Sequence, residues 1–265
     1  MTGVQTCALP IYFDTIPVEK LLLLVAAKVS DGRVLELVKA YLRQGVLEEG
    51  KYWTPVQGTP QGGVISPLLS NIYLDPLDHR MAALGVEMVR YADDFVLLCQ
   101  TESQAQAALL EVQRWTAEAG LTLHPEKTRI VDATQRGGFD FLGYHFEQGR
   151  KWPRKKSLKK LKTTVRSFTR RNNGNSLPTI ITELNRSLMG WFQYFQHSQK
   201  TTFPGLDGWI RMRLRSILRR RQGKHGCGRG SDHQRWPNDF FTGNGLFSLS
   251  AAHSSVCQSL RKANH

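Results

Sequence analysis

Asp93 and Asp94 stand side by side between two apolar runs, 86–91 and 95–99, and few folds accommodate that arrangement. Both runs read as short strands, which puts the two acids at the tip of a hairpin. Adjacent carboxylates repel each other, and taking them out of water costs several kcal/mol. Two readings of the tip follow. It is a solvated turn, for which Asp is a favoured residue, or it clamps a pair of divalent cations. Two hard cations about 3.5–4 Å apart are the usual machinery for in-line attack on a phosphate.

The flanking blocks bear on that choice. Upstream, residues 58–74 read GTPQGGVISPLLSNIYL. Pro60 and the Gly62-Gly63 pair shape a turn whose backbone can approach a ligand closely. Ser66 then reads as an N-cap with Pro67 at the first helical position, and such a helix start favours phosphate. Downstream come LTLHPEKTRI at 121–130, a turn and strand, and FDFLGYHF at 139–146, an aromatic strand. Read singly, the first is a capped helix after a loop and the others are ordinary edge and core strands.

Together with Tyr91-Ala92-Asp93-Asp94 these four blocks, in this order and spacing, resemble the palm of reverse transcriptases. Tyr12-Phe13-Asp14, Lys20-Leu21-Leu22 and the 185–195 stretch ending Gly190-Trp191-Phe192-Gln193-Tyr194-Phe195 are similar to bacterial group II intron proteins. The tail stretches 232–238 and 245–249 resemble endings found in that family. Its members copy RNA into DNA and also act as maturases, helping their parent intron RNA to splice.

The resemblance implies RNA-templated DNA synthesis with Mg²⁺ as cofactor, held by Asp93 and Asp94, with Asp93 bridging both ions. It implies that Phe13 screens the sugar 2′-position, that Gln61 touches the incoming nucleotide and that Lys127 lies near its triphosphate. Implied partners are group II intron RNA, an RNA template/DNA primer duplex, dNTP and target DNA. A bacterial, cytoplasmic, nucleic-acid-associated protein is expected, and the oligomeric state is left open. Some relatives end in a zinc-bearing endonuclease module. Cys7, Cys99, Cys227 and Cys257 form no Cys-x-x-Cys pair, so neither zinc nor a disulfide scaffold is expected.

Charge divides the chain. Residues 1–149 carry 12 Lys/Arg against 18 Asp/Glu, whereas residues 150–225 carry 20 against 2. So long and one-sided a basic block repels itself unless a polyanion neutralises it, which argues for nucleic acid and steep salt dependence. It is also patterned. Leu158, Leu161, Val165 and Phe168 share one helix face over 155–170. Ile181, Leu184, Leu188, Trp191 and Phe195 do so over 178–195, and 209–218 reads as a third helix. Lys155, Lys156, Lys159, Lys160, Arg211 and Arg215 are the candidate RNA contacts on these helices, which suit an A-form duplex gripped by backbone and shape. Trp191, Phe192, Tyr194 and Phe195 read as helix core in preference to base stacking. The longest apolar run, 21–27, is far too short to span a bilayer, so no membrane partner is expected.

The resemblance stops at the N-terminus. The family places a third metal-binding Asp ahead of the aromatic pair, and the matching position is Ala8, which has no side-chain oxygen. Asp14 lies six residues on, roughly 20 Å along a strand. Residues 1–11 resemble a translated sequencing adapter joined to a truncated reading frame, and a signal peptide is not expected because Pro10 interrupts the apolar stretch. The expected fold is α+β: a partial palm at 12–149, an antiparallel sheet with helices, then an all-helical thumb/maturase region at 150–225 and a tail at 226–265. With Ala8 in place and the family's fingers missing from the sequence, the chain is expected to be polymerase-dead or nearly so. The alternative is a non-catalytic RNA-binding splicing cofactor, or a decayed mobile-element fragment.

Overall fold

The computed structural model describes residues 3–8, 16–44, 46–48, 51–53, 64–121, 123, 128–228 and 230–263. The chain divides into two compact units, Met1–Leu142 and Gly143–His265. That boundary falls ahead of Gly149, because the hairpin at 144–153 belongs with the helices.

The first unit is built on a four-stranded antiparallel sheet. Its strands are β1 (Gly3–Ala8), β4 (Glu87–Tyr91), β5 (Asp94–Cys99) and β6 (Arg129–Val131), in the order β4-β5-β1-β6. A separate pair, β2 (Val46–Glu48) and β3 (Lys51–Trp53), forms its own antiparallel ribbon. The leader expected to lie outside the family pattern thus supplies an inner strand, pairing Gly3–Ala8 with β5 on one side and β6 on the other. Phe95, Val96, Leu97 and Cys99 of β5 are all buried.

Helices α1 (Val18–Ala26), α2 (Gly32–Leu42), α3 (Ser66–Ala83) and α4 (Glu102–Ala119) complete this unit's core. Ile16, Leu21, Tyr73, Leu77, Val112 and Trp115 are among its buried residues. Helix α4 has a well-marked start and stop. The Thr101 hydroxyl accepts from Gln104 N at 3.1 Å, and Gly120 ends the helix at φ 76°, a left-handed cap natural to glycine. Helix α3 begins one residue earlier than the sequence suggests. Ile65 is the N-cap, without a side-chain cap bond, and Ser66 is the first helical residue. The Ser66 hydroxyl is engaged with Tyr41 Oη at 2.8 Å, a tertiary bond.

Expected as one strand, 139–146 is two: β7 (Phe139–Phe141) and β8 (Tyr144–Glu147). Leu142 at φ 45° and Gly143 at φ 81° turn the chain between them. Strand β8 then pairs with β9 (Arg150–Pro153) in an antiparallel hairpin.

Three helices fill most of the second unit, α5 (Lys155–Phe168), α6 (Leu177–Phe195) and α7 (Thr202–Arg221). Their apolar faces meet through Leu161, Val165, Leu184, Leu188, Ile210 and Leu214. Phe192 and Phe195 are core as expected, but Tyr194 is 54% exposed. The tail is not an appendage. Helices α8 (Ser231–Arg235), α9 (Asn238–Gly243) and α10 (Leu249–Ala263) bring Trp236, Phe241, Leu246 and Leu249 into the same core. Asp207 of α7, itself buried, accepts from Leu249 N and Ser250 N, each at 3.0 Å, and so caps α10 from another helix. The loop between α7 and α8 is pressed onto α7 at Gly228, where an added Cβ would lie 2.4 Å from Arg215 Cβ. Among the described residues no helix is long and apolar enough to cross a membrane.

Candidate active-site hairpin and basic helical face

Tyr91 pairs with Asp94 at the end of the β4–β5 ladder, leaving Ala92 and Asp93 as the two turn residues. The hairpin expected from the sequence is present, and its tip carries both acids. Asp94 is exposed and Asp93 half-exposed, so the penalty for burying adjacent carboxylates is largely avoided. Ala92 takes φ 54°, a left-handed conformation that costs an alanine about 1 kcal/mol and persists only where neighbours hold it.

Arg90 is the neighbour that holds it. Strand alternation turns Met88 and Arg90 away from the exposed face formed by Glu87, Val89 and Tyr91. Arg90 then meets α3. Its Nε donates to Asp78 Oδ1 at 2.8 Å and its Nη2 to Asp78 Oδ2 at 2.5 Å, a two-pronged pairing. Its Nη1 donates to Asn71 Oδ1 at 2.8 Å and to Ala92 O at 3.1 Å. One guanidinium therefore ties the strained turn to a helix. Asp78→Asn should remove the charge-assisted part of that tie. We expect about 1–2 kcal/mol lost from the unfolding of this unit and faster amide exchange at residues 92–94. Unchanged exchange there would mean the turn holds its shape without Arg90.

Two carboxylates at adjacent positions are hard oxygen donors of the kind Mg²⁺ takes. Directly across the ladder from Asp94 stands Ala8 of β1, the position at which the sequence lacks an acid. Asp93 and Asp94 fit a divalent cation in donor type, and that ladder position adds no side-chain oxygen to them. Phe13, Gln61 and Lys127 lie outside the described residues.

On the second unit, Lys155, Lys156, Lys159 and Lys160 lie along α5, all of them exposed. Arg154 is the N-cap of that helix and no acid stands in its first turn. Cations at the positive end of a helix dipole oppose its stability, each by about 0.3–1 kcal/mol, and make that end strongly attractive to anions. Arg211 is half-buried, and its Nε has no hydrogen-bond partner among the described residues.

Arg215 does not belong on this face. It is 2% exposed. Its Nε donates to Trp236 O at 2.8 Å, its Nη2 to Asn238 Oδ1 at 2.9 Å, and the guanidinium lies 5.1 Å from the Phe241 ring centroid. Burial lowers its pKa, with Arg211 adding to the effect and Asp232 opposing it. Neighbouring arginines are also used inside the fold. Arg219 pairs with Asp232 at 2.7 Å and donates to His225 O, and Arg221 donates to Asn175 O. Helical spacing placed Arg215 among exposed cations because the elements that cover it, α8 and α9, are too short to show a period.

A sheet bearing paired acids at a hairpin tip, joined in one chain to a basic helical unit, defines a protein of the nucleic-acid polymerase class. The family model for reverse transcriptase (RNA-dependent DNA polymerase) matches residues 10–146. This chain belongs to the reverse transcriptase family. The group II intron maturase-specific domain model matches residues 158–236. The group II intron-encoded protein LtrA of Lactococcus lactis is 40% identical over 78 residues, 29% of this chain and 13% of that protein. Protein YkfC of Escherichia coli is 32% identical over 168 residues, 50% of this chain and 44% of that protein. The chain thus spans less than half the length of these relatives. A solved telomerase of Candida albicans, in complex with a fragment of telomeric RNA, shares the fold at TM-score 0.50. That likeness has 12% identity and covers 98% of this chain and 50% of that one.

Proposed function

We propose that this chain is part of a group II intron-encoded protein that pairs RNA-templated DNA synthesis with assistance to intron RNA splicing. The observation that carries the reading is the succession, in one chain, of a reverse transcriptase match containing the acidic hairpin and a maturase-specific match on the basic helices. In this reading Asp93 and Asp94 would hold Mg²⁺, which when bound stabilises negative charge developing on a transferring phosphate. Asp78, Asn71 and Arg90 keep the two carboxylates at a fixed place on the sheet. Phe13, Gln61 and Lys127 would border the incoming dNTP. The lysines of α5 would meet RNA backbone, with a primer–template duplex, intron RNA and target DNA as partners.

Ala8 opposite Asp94 favours a second reading for the chain as it stands: an RNA-binding splicing cofactor with little or no polymerase activity. One experiment separates the RNA task from the hairpin. Lys155, Lys156, Lys159 and Lys160 changed together to Gln should lose assistance to splicing of a group II intron RNA by about tenfold or more at physiological salt. Asp93→Asn should keep it. Equal splicing by the four-lysine variant and the parent would remove α5 from the RNA interface.

A further inference from the structure

Trp209 of α7 is surrounded by cations. Lys162 Nζ lies 5.8 Å from its ring centroid, and the guanidinium carbons of Arg166 and Arg213 each lie 5.6 Å from it. Two pairs with one-turn spacing produce this, Lys162 and Arg166 on α5, Trp209 and Arg213 on α7. Arg213 is fixed in place, its Nε donating to Thr169 Oγ1 at 2.5 Å and its Nη2 to Thr169 O at 2.9 Å. A fourth cation, Arg171, is near enough for its charge to be felt at Arg213. Burial, then Arg166, then Arg171 all lower the Arg213 pKa, so the group sits among like charges.

Among the described residues no ion pair joins any of these four cations to a carboxylate, and Lys162 and Arg166 make no hydrogen bond. Two acids of the unit are committed elsewhere. Asp207 is buried under α10 and Asp232 is buried against Arg219. Ring faces attract cations, but a single indole does not neutralise three of them. The cluster is an anion site with its counter-charge to come from outside. Two guanidinium forks with a lysine point charge match the tetrahedral oxygens of a phosphodiester better than a lone carboxylate.

We propose that Lys162, Arg166 and Arg213, seated on Trp209, form a binding site for the backbone phosphate of RNA, separate from the lysine row 155–160. The proposal rests on the RNA-binding reading above. Its surroundings favour a polynucleotide over an acidic peptide, since residues 150–225 carry 20 cations and 2 acids, including the exposed lysines 155, 156, 159 and 160, and repeated charge would meet cations beyond this cluster.

The test measures binding of the full chain to an RNA hairpin by fluorescence anisotropy across a salt series. The Lys162→Gln/Arg166→Gln variant is compared with Arg261→Gln/Lys262→Gln, which removes the same charge from the end of α10. The site variant should bind severalfold more weakly, and its slope of log K against log salt should be shallower by roughly 0.7–0.9 for each phosphate it no longer neutralises. The control should keep the parent slope. Identical behaviour of the two variants would overturn the site. So would displacement of the RNA by polyglutamate at equal charge concentration, which would assign the cluster to acidic protein. A parent chain that binds no RNA would instead remove the RNA-binding reading, and this site with it.

Discussion

Ala8→Asp should raise the affinity of the hairpin for Mn²⁺ by about tenfold or more, because carboxylate number sets the strength of such sites. Ala8 and Asp94 are direct partners in the β1–β5 ladder, and directly opposed residues of an antiparallel pair are the closest neighbours a sheet provides. A third acid at that position would join Asp93 and Asp94 around a shared cation. Titration followed by electron paramagnetic resonance reads the effect without any need for catalysis. Asp94→Asn in the same background should cancel the gain. Extension of a DNA primer on an RNA template should follow the same order, with Ala8→Asp at least about a hundredfold above the chain as it stands, on the scale of adding one electrostatic group to a catalytic site. Equal metal affinity with and without the new acid would show that β1 does not contribute to the site.

Arg215→Ala should cost the helical unit about 4 kcal/mol, a large part of the 5–15 kcal/mol that holds a typical domain. The figure has two sources. Truncation leaves a cavity beside Phe241, worth about 2–3 kcal/mol. It also strands Trp236 O, whose donor vanishes, at about 1–3 kcal/mol for a buried polar group. Arg215→Met should recover the packing part and relieve the desolvated charge, so its loss should be about half as large. Urea unfolding followed by far-ultraviolet circular dichroism gives both values. An Ala variant with an unchanged midpoint would contradict the structural role assigned to Arg215.

Two strands flanking Asp93-Asp94 and the three basic helices were legible because their signals are local. The short strand-like runs at 86–91 and 95–99 and the three-and-four spacing over 158–168 and 181–195 are each carried within one element. The acidic tip follows from the two runs, since a turn is where two carboxylates escape burial. The three helices of the basic block were legible for the same reason, although α7 extends over Thr202–Arg221, well beyond the apolar core of 209–218. Family resemblance supplied Phe13, Gln61 and Lys127, and periodicity alone would not have chosen them.

What only the tertiary structure decided is the use made of each charge. Six arginines from 211 to 221 look alike in sequence, yet Arg215 is buried, Arg213 is locked to Thr169, and Arg219 and Arg221 anchor loops. Ser66, read as an N-cap, became the first helical residue, with Tyr41, 25 residues away, bonded to its hydroxyl. Arg90 became the brace of the hairpin because α3 presented Asp78 and Asn71 to it. A guanidinium or hydroxyl settles on whichever partner its neighbours present, and those neighbours come from elements far apart in the chain. Apolar periodicity is set within one element and survives without them. Sequence therefore determined the elements and the acidic tip, while packing decided which cations remain free for an anion.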